Sequence, residues 1–260
     1  MKINPVDHKA TRVFLILGFF FLTNALVAEF MGVKIFSVED TFGISHFVFT
    51  LFGEKIDGFS LTCGAILWPF VFILTDIINE YFGKRGVQFL SWIAAGMIAF
   101  AFLMLFLAIH VAPAPWWIHN SGFKDLNFNE AYSAVFGQGM TIIIASLSAF
   151  LISQLIDVKV FHWIKQRTGE KKIWMRTTGS TLISQLIDSF VVLFLAFYVL
   201  QGSTTRWSFQ LVLAVSIVNY IYKFLMALLI TPVIYLVHAA VEKYLGEEYA
   251  THLKEEAMKE

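Results

Sequence analysis

Six long apolar stretches are the feature that most constrains what this chain can fold into. A helix needs about 20 mostly apolar residues to cross a hydrocarbon layer of about 30 Å. The segments that meet this length are Val13–Met31, Phe59–Tyr81, Val87–Ile109, Gly139–Phe161, Thr177–Val199 and Phe209–Leu236. With 58% hydrophobic residues, the chain is too apolar for the surface of a soluble domain. We predict an all-α integral membrane protein with six transmembrane helices, the second and sixth kinked by Pro69 and Pro232.

The positions of lysine and arginine predict the orientation. If the N-terminus is cytoplasmic, the outside segments hold only Lys34, Lys55, Lys124 and Arg206. The inside segments then hold Lys2, Lys9, Arg12, Lys84, Arg85, Lys159, Lys165, Arg167, Lys171, Lys172, Arg176, Lys243, Lys254 and Lys259. This bias predicts cytoplasmic N- and C-termini. We expect a transmembrane domain over 1–240 and a cytoplasmic tail over 241–260, the tail forming an exposed helix.

The first apolar stretch also resembles a secretory signal, because cations precede it. It is longer than a typical signal core, contains Asn24 and Glu29, and lacks a small-residue cleavage site at its end. We interpret it as a retained first span.

The connecting segments contain three further patterns. Phe42–Phe52 is apolar but too short to span, and is expected to lie at the interface or to re-enter the membrane. The alternation in Val33–Val38 indicates a short strand. Ala112–Ala134, with Trp116 and Trp117, is typical of an interfacial loop with an aromatic anchor.

Several ionisable side chains fall inside the predicted helices. An ionised group at the centre of a membrane helix costs about 2.5–3.5 kcal/mol. The residues concerned are Glu29, Asp76, Glu80, Asp157, Asp188 and Lys223. Unpaired, they would cost roughly 15–20 kcal/mol together, more than a typical domain's stability. They must therefore face each other, a water-filled cavity or a ligand.

The spacing of these residues indicates a shared interior. Asp76, Asn79 and Glu80 stand at i, i+3 and i+4, on one face of a helix. The heptapeptide Leu-Ile-Ser-Gln-Leu-Ile-Asp occurs at 151–157 and again at 182–188. The predicted substrate-binding residues are Asp76, Asn79, Glu80, Gln154, Asp157, Gln185, Asp188, Asn219 and Lys223.

Structural interpretations of the same residues remain open. Glu29 and Glu80 lie near helix ends, so Glu29 could reach the interface and Glu80 could pair at the surface with the cations that follow it. Asp188 and Lys223 could form one buried ion pair that holds helices together. The glutamines and asparagines could bond across a helix seam. Trp68 and Tyr81 share a helix with Asp76 and could stack on a planar ligand.

Signatures of catalysis are absent from the sequence. There is no phosphate-binding loop, no H-E-x-x-H and no nucleophile elbow, and a single cysteine, Cys63, excludes internal disulfides and cysteine-based metal clusters. The histidines lack metal-ligand spacing, and no haem or quinone motif is visible. The sequence therefore predicts no cofactor or metal. A membrane enzyme using Asp157 and Asp188 is the alternative from another class. A zero net charge gives no reason to expect a nucleic-acid partner.

Taken together, the motifs resemble the queuosine precursor transporters, also called the vitamin uptake transporter family of bacteria. The resemblance runs from the second helix to Leu236. The matching features are Thr75-Asp76 to Gly83 after Trp68-Pro69, the two Ser-Gln-x-x-Asp motifs at 153–157 and 184–188, the basic loop with Trp174 and Arg176, and Asn219-Tyr220-x-x-Lys223. The segments Val33–Gly58 and Ala112–Ala134 are longer than in compact members.

The resemblance implies a multi-pass importer in the bacterial inner membrane, without a cofactor. Its substrates would be the deazapurines 7-cyano-7-deazaguanine, 7-aminomethyl-7-deazaguanine or queuine. An energy-coupled complex, in which the chain is the substrate-binding subunit, remains an alternative, as do homo-oligomers. We expect Asp188 and Asp157 with the two glutamines to hold the base, and Lys223 to balance their charge. Asp188→Asn is then expected to abolish uptake.

Overall fold

The computed structural model describes residues 8–119, 126–137, 140–168 and 173–259, with no side-chain detail at 140, 141, 173 and 174. Within these ranges, five helices are long and apolar enough to cross a membrane. In chain order the elements are α1 (Lys9–Met31), β1 (Ile35–Ser37), α2 (Val38–Phe42), β2 (Val48–Leu51), β3 (Glu54–Asp57), β4 (Ser60–Thr62), a 3₁₀ turn (Cys63–Ile66), α3 (Trp68–His110), α4 (Pro115–Ile118), α5 (Phe128–Phe136), α6 (Met140–Thr168), α7 (Ile173–Phe194), a π turn (Leu195–Val199), α8 (Phe209–Leu245) and α9 (Glu247–Met258). The predicted features at Lys2, Lys124, Gly139, Lys171, Lys172 and the Trp174 side chain lie outside the described residues.

Helix α3 is divided at Gly83. Its 43 residues would reach about 65 Å if straight, twice the thickness of a hydrocarbon core. Gly83 has φ 69° and ψ −174°, a backbone conformation that only glycine adopts readily. The prediction ended one helix at Tyr81 and began the next at Val87, and the break falls between them.

Contacts with α1 give the directions of the two segments of α3, residues 68–82 and 84–110. Near its end, the first segment contacts the start of α1, where the rings of Phe82 and Phe14 lie 5.0 Å apart. The second segment runs back to the other end of α1, where the rings of Phe102 and Phe30 lie 5.7 Å apart. The chain therefore folds back on itself at Gly83.

The start of α3 corrects the predicted second helix. Residues 60–62 form β4 and residues 63–66 form a 3₁₀ turn, so the helix begins at Trp68 and not at Phe59. Pro69 then lies in the first turn, where its missing N–H leaves no hydrogen bond unmade, and the predicted kink there is wrong. Pro232 lies inside α8, which continues past the predicted end at Leu236 to Leu245.

A small β cap connects α1 to α3. The predicted strand near residue 35 is confirmed, since β1 pairs antiparallel with β4. Strands β2 and β3 form a hairpin whose turn residues, Phe52 and Gly53, both have positive φ, as a tight hairpin turn requires. Part of the segment predicted to be interfacial or re-entrant is therefore a strand. Ile56 of the hairpin packs against Ala214 and Val218 of α8.

The C-terminal helix is not simply exposed. Ala250, Lys254 and Ala257 of α9 are buried, and the helix packs against α3. Lys254 Nζ lies 2.5 Å from Glu242 Oε1 and 5.4 Å from the centre of the Tyr81 ring. The predicted exposed tail is thus wrong for one face of this helix, which docks on the end of the bundle where α3 turns back.

Candidate functional site

The repeated heptapeptide joins α6 and α7. Ser184 Oγ donates a hydrogen bond of 2.9 Å to Asp157 Oδ1. Ser153 Oγ lies 3.4 Å from Asp188 Oδ1, so the serine of each copy faces the aspartate of the other. Because the two helices run antiparallel, identical sequences place identical contacts about a local two-fold axis. The repeat therefore supplies contacts that join α6 to α7.

Helix α8 joins this pair through an ion pair. Lys223 Nζ lies 2.5 Å from Asp188 Oδ2, and the two side chains are 14% and 18% exposed. The ion pair that the sequence left open as an alternative is therefore formed. Asp188 also faces Ser153, so its carboxylate connects α6, α7 and α8.

A narrow cleft lies between the first segment of α3, α7 and α8. It contains about 430 Å³ of empty space, part of it open to the outside, but the centre of a water molecule can reach only about 30 Å³. The room for a ligand is therefore small. The lining residues are Ala65, Trp68, Pro69, Phe72, Ile73, Asp76, Thr178, Thr181, Gln185, Lys223, Ala227, Ile230 and Ile234.

Two polar residues of this lining are almost fully buried and incompletely bonded. Asp76 is 1% exposed and Gln185 is 3% exposed. Asp76 Oδ2 lies 3.4 Å from Thr181 Oγ1, whereas Asp76 Oδ1 and Gln185 Nε2 have no hydrogen-bond partner among the described residues. Buried polar atoms are rarely left unpaired, so these two atoms are available for a ligand or water.

Glu80 does not lie in the cleft lining. Arg176 Nη2 lies 2.5 Å from Glu80 Oε1 and Lys165 Nζ lies 3.3 Å from Glu80 Oε2, with all three side chains at 1% exposure or less. A surface pair with the cations that follow Glu80 is therefore wrong, because the last turn before Gly83 faces α6 and α7. Arg176 and Lys165, which the sequence placed in cytoplasmic segments, are buried in this cluster.

The remaining predicted residues bond to neighbouring helices or to their own. Asn79 Oδ1 lies 2.9 Å from His162 Nε2, although the sequence gave that histidine no role. Gln154 Nε2 donates to Thr75 Oγ1 at 3.2 Å. Asn219 Nδ2 donates to Val215 O, one turn earlier in α8, at 3.2 Å.

Glu29 does not belong to the cleft lining. Its Oε1 accepts a hydrogen bond of 2.6 Å from Ser146 Oγ of α6. The half-buried carboxylate thus joins α1 to α6 rather than extending freely to the interface. Among the described residues, no group of three or more His, Cys, Asp or Glu side chains could hold a metal ion.

The structure thus brings together Asp76, Gln185 and Lys223 from the predicted set. Sequence reasoning missed Thr178 and Thr181, two hydroxyls in the lining that stand two turns and one turn before Gln185 on α7. Their spacing relative to Gln185 was the available signal. Trp68, considered as a stacking residue, is in the lining, whereas Tyr81 is not.

Comparison with known proteins gives one family. The family model described as "Putative vitamin uptake transporter" matches residues 62–237. The "Queuosine precursor transporter" of Escherichia coli (strain K12) is 28% identical over 177 residues, 67% of this chain and 71% of that protein. The "Probable queuosine precursor transporter" of Bacillus subtilis (strain 168) is 27% identical over 183 residues, 70% and 73% of the two chains. A protein of the same printed name from Haemophilus influenzae is 26% identical over 195 residues, 74% and 73%. No solved structure matches the chain significantly.

Proposed function

Since this chain belongs to the putative vitamin uptake transporter family, we propose that it imports queuosine precursors across the bacterial inner membrane. The printed names of three relatives support this substrate class. The observation that carries the proposal is the cleft among spanning helices, with buried polar groups of Asp76 and Gln185 in its lining. The unpaired Asp76 Oδ1 and Gln185 Nε2 both belong to residues of this lining, where a ligand could bond to them.

We propose six membrane spans, with the two segments of α3 counted separately. The reversal at Gly83 supports this count. The first segment ends beside the start of α1, and the second segment runs back toward the other end of α1. An even number of spans places both termini on one side, and the bias of lysine and arginine favours the cytoplasm. Residues 1–240 then form the transporter domain and 241–260 lie at its cytoplasmic face.

In this orientation, the cleft would capture its solute from outside the cell. Ala65, in the 3₁₀ turn before α3, and Trp68, the first residue of α3, are at the outer end of the lining, and Asp76 lies deeper. Glu80, one turn nearer the cytoplasmic end of α3 than Asp76, pairs with Arg176 instead. A solute entering from outside would meet Asp76 before this charged cluster.

We propose that Asp76, Gln185 and Lys223 contact the substrate and that Asp188 acts through Lys223. Of the other predicted residues, Asn79, Glu80, Gln154 and Asp157 hold the helices in register through their contacts with neighbouring helices, and Asn219 bonds within α8. The proposed contact residues are the predicted residues that line the cleft. A guanine-like base suits it, because its ring N–H can bond to a carboxylate and its carbonyl to an amide N–H.

Uptake of labelled 7-cyano-7-deazaguanine, 7-aminomethyl-7-deazaguanine and queuine tests this function. The assay compares cells that cannot make queuosine with and without this gene, with a membrane-level control by immunoblot. We expect saturable, gene-dependent uptake of at least one of the three. Absence of uptake for all three in cells with correctly inserted protein would contradict the substrate class. Uptake into liposomes containing the purified chain alone would exclude an obligatory partner subunit.

A further inference from the structure

A second recess lies at the cytoplasmic end of the bundle, away from the cleft. It is bordered by the start of the second α3 segment, the last turns of α6 and the end of α9. Its lining includes Lys84, Val158, Lys159, His162, Trp163 and Met258. We propose that this recess binds the phosphate of an anionic phospholipid headgroup through Lys84 and Lys159.

The recess is roomier than the cleft. The centre of a water molecule can reach about 250 Å³ of it, against about 30 Å³ in the cleft. One water molecule needs only about 10–15 Å³ by this measure, so a larger group fits without displacement of the helices. His162 Nε2 lies 2.9 Å from Asn79 Oδ1, and this contact between α6 and the first segment of α3 fixes one wall.

The two lysines of the recess differ from the more buried lysines of the protein. Lys165, Lys223 and Lys254 each have a carboxylate oxygen within 3.3 Å. Lys84 is partly buried and Lys159 is exposed, and among the described residues neither has a hydrogen bond or an ion pair. Uncompensated cations in a recess attract an anion.

The charged residues beside the recess leave its potential positive. The guanidinium of Arg167 lies 3.7 Å from the centre of the Trp163 ring and adds a cation to the same face of the bundle. Glu256 of α9 lies 3.8 Å from His252, and neither Glu256 nor Glu255 belongs to the lining. The described lining contains cations and no carboxylate, which suits a phosphate.

Apolar side chains in the same lining favour a lipid over a dissolved anion. Val158 stands beside Lys159, and Trp163 and Met258 are 54% and 40% exposed. Tryptophans near the ends of spanning helices lie at the level of the headgroups. The glycerol and first acyl carbons of a lipid would cover this apolar surface, which a dissolved phosphate would leave in water. Basic pockets between spanning helices at the cytoplasmic face bind anionic headgroups in other membrane proteins.

Lipid binding to the purified protein in detergent, measured by native mass spectrometry, tests the site. The probes are dioleoylphosphatidylglycerol, dioleoylphosphatidylcholine with the same chains and no net charge, and inorganic phosphate. The phosphatidylglycerol is expected to bind at least about ten-fold more tightly than the phosphatidylcholine. Equal affinities of the two lipids would overturn the site. Equal affinities of inorganic phosphate and phosphatidylglycerol would assign the recess to a dissolved anion and overturn the lipid.

Matched variants locate the bound lipid. Lys84→Gln and Lys159→Gln should each weaken phosphatidylglycerol binding about five-fold, and the double variant about 30-fold. Lys243→Gln is the control, because Lys243 is an exposed lysine at the cytoplasmic end of α8 and lies outside the lining. It should change the affinity less than about two-fold. Equal losses in all three single variants would show only a general attraction of the basic face and overturn the recess.

This lipid site and the proposed transport site fail separately. The recess and the cleft share no lining residue, and lipid binding is measured without transport. The assignment to the cytoplasmic leaflet uses the proposed orientation. Absence of deazapurine uptake would leave the lipid site in place, and absence of selective lipid binding would leave the importer in place.

Discussion

The guanidinium of Arg176 lies 2.5 Å from Glu80 Oε1, and both side chains are completely buried. Lys165 lies 3.3 Å from the other carboxylate oxygen, so three helices meet at one acidic group. The contact fixes the end of the first α3 segment against α6 and α7, three residues before the chain reverses at Gly83. The same contact anchors the helix that carries Asp76, the cleft residue one turn earlier.

Glu80→Gln is expected to destabilise the protein strongly. The substitution leaves two buried cations without their carboxylate, and breaking a buried pair in this way costs about 3–5 kcal/mol. The measurement is thermal unfolding in detergent. Glu242→Gln is the control, because Glu242 is 37% exposed and its pair with Lys254 should contribute less than about 1 kcal/mol. Equal unfolding temperatures for the two variants would contradict the anchor.

Asp188 and Lys223 are expected to depend on one another. Asp188→Asn leaves Lys223 as an uncompensated cation in the cleft, and Lys223→Met leaves the carboxylate. The double variant should be more stable than the sum of the single losses predicts, with a coupling of at least about 1 kcal/mol. Uptake by Asp188→Asn should fall to background while the protein still reaches the membrane. Additive stability losses in the double-mutant cycle would show that the pair has no energetic role.

Gly83→Ala tests the reversal of α3. A Cβ at φ 69° and ψ −174° is strained, and residues held in such regions cost about 1–3 kcal/mol. Gly96→Ala is the matched control in the second segment, where an added Cβ meets nothing within 4 Å. That change should stabilise the helix by about 0.5–1 kcal/mol. Unfolding temperatures that move in the same direction for both would contradict a glycine-dependent turn.

The β cap is expected to respond to pH through His46. Its ring nitrogens lie 3.1 Å from Asp40 and 3.0 Å from Asp57, and these hydrogen bonds raise the pKa of His46 above 6.5. The bond to His46 likewise lowers the pKa of Asp40 below 3.8. The contribution of His46 is complete below pH 6.5 and is lost as the pH rises through its raised pKa. That of Asp40 is present above pH 3.8 and is lost as the pH falls through its lowered pKa.

An NMR titration of His46 in nanodiscs measures this effect. Asp40→Asn and Asp57→Asn should each bring the pKa of His46 back toward 6.5, and added salt should weaken the shift. Glu54→Gln is the control on the same hairpin, because Glu54 Oε1 accepts from Ser208 and not from His46. An unchanged His46 titration in both aspartate variants would contradict the cluster.

The membrane class and most of the helices were predictable from hydropathy alone. Apolar runs of about 20 residues have few alternatives to a spanning helix, and the break near Gly83 was placed within a few residues. The β2–β3 hairpin was not predicted, although Phe52-Gly53 occupies its turn. In an apolar chain, a short hydrophobic strand and a re-entrant segment have the same composition.

The cleft was predictable only in part. The i, i+3, i+4 pattern placed Asp76 and Glu80 on one helix face. In the structure, Asp76 lines the cleft, whereas Glu80 belongs to the charged cluster with Arg176. Arg176 is 96 residues beyond Glu80, a separation at which sequence spacing carries no information on contact. Gln185, and not Gln154, lines the cleft because α7 borders it and α6 does not, which the identical heptapeptides do not reveal.

The most direct test of the central claim is deazapurine uptake by cells carrying the parent, Asp76→Asn or Asp157→Asn, at equal amounts in the membrane. If the cleft carries the substrate, Asp157→Asn should retain at least about a third of the parent's uptake, and Asp76→Asn should fall to about a tenth or less. Normal uptake by Asp76→Asn, or an equal loss in both variants, would contradict transport through this cleft.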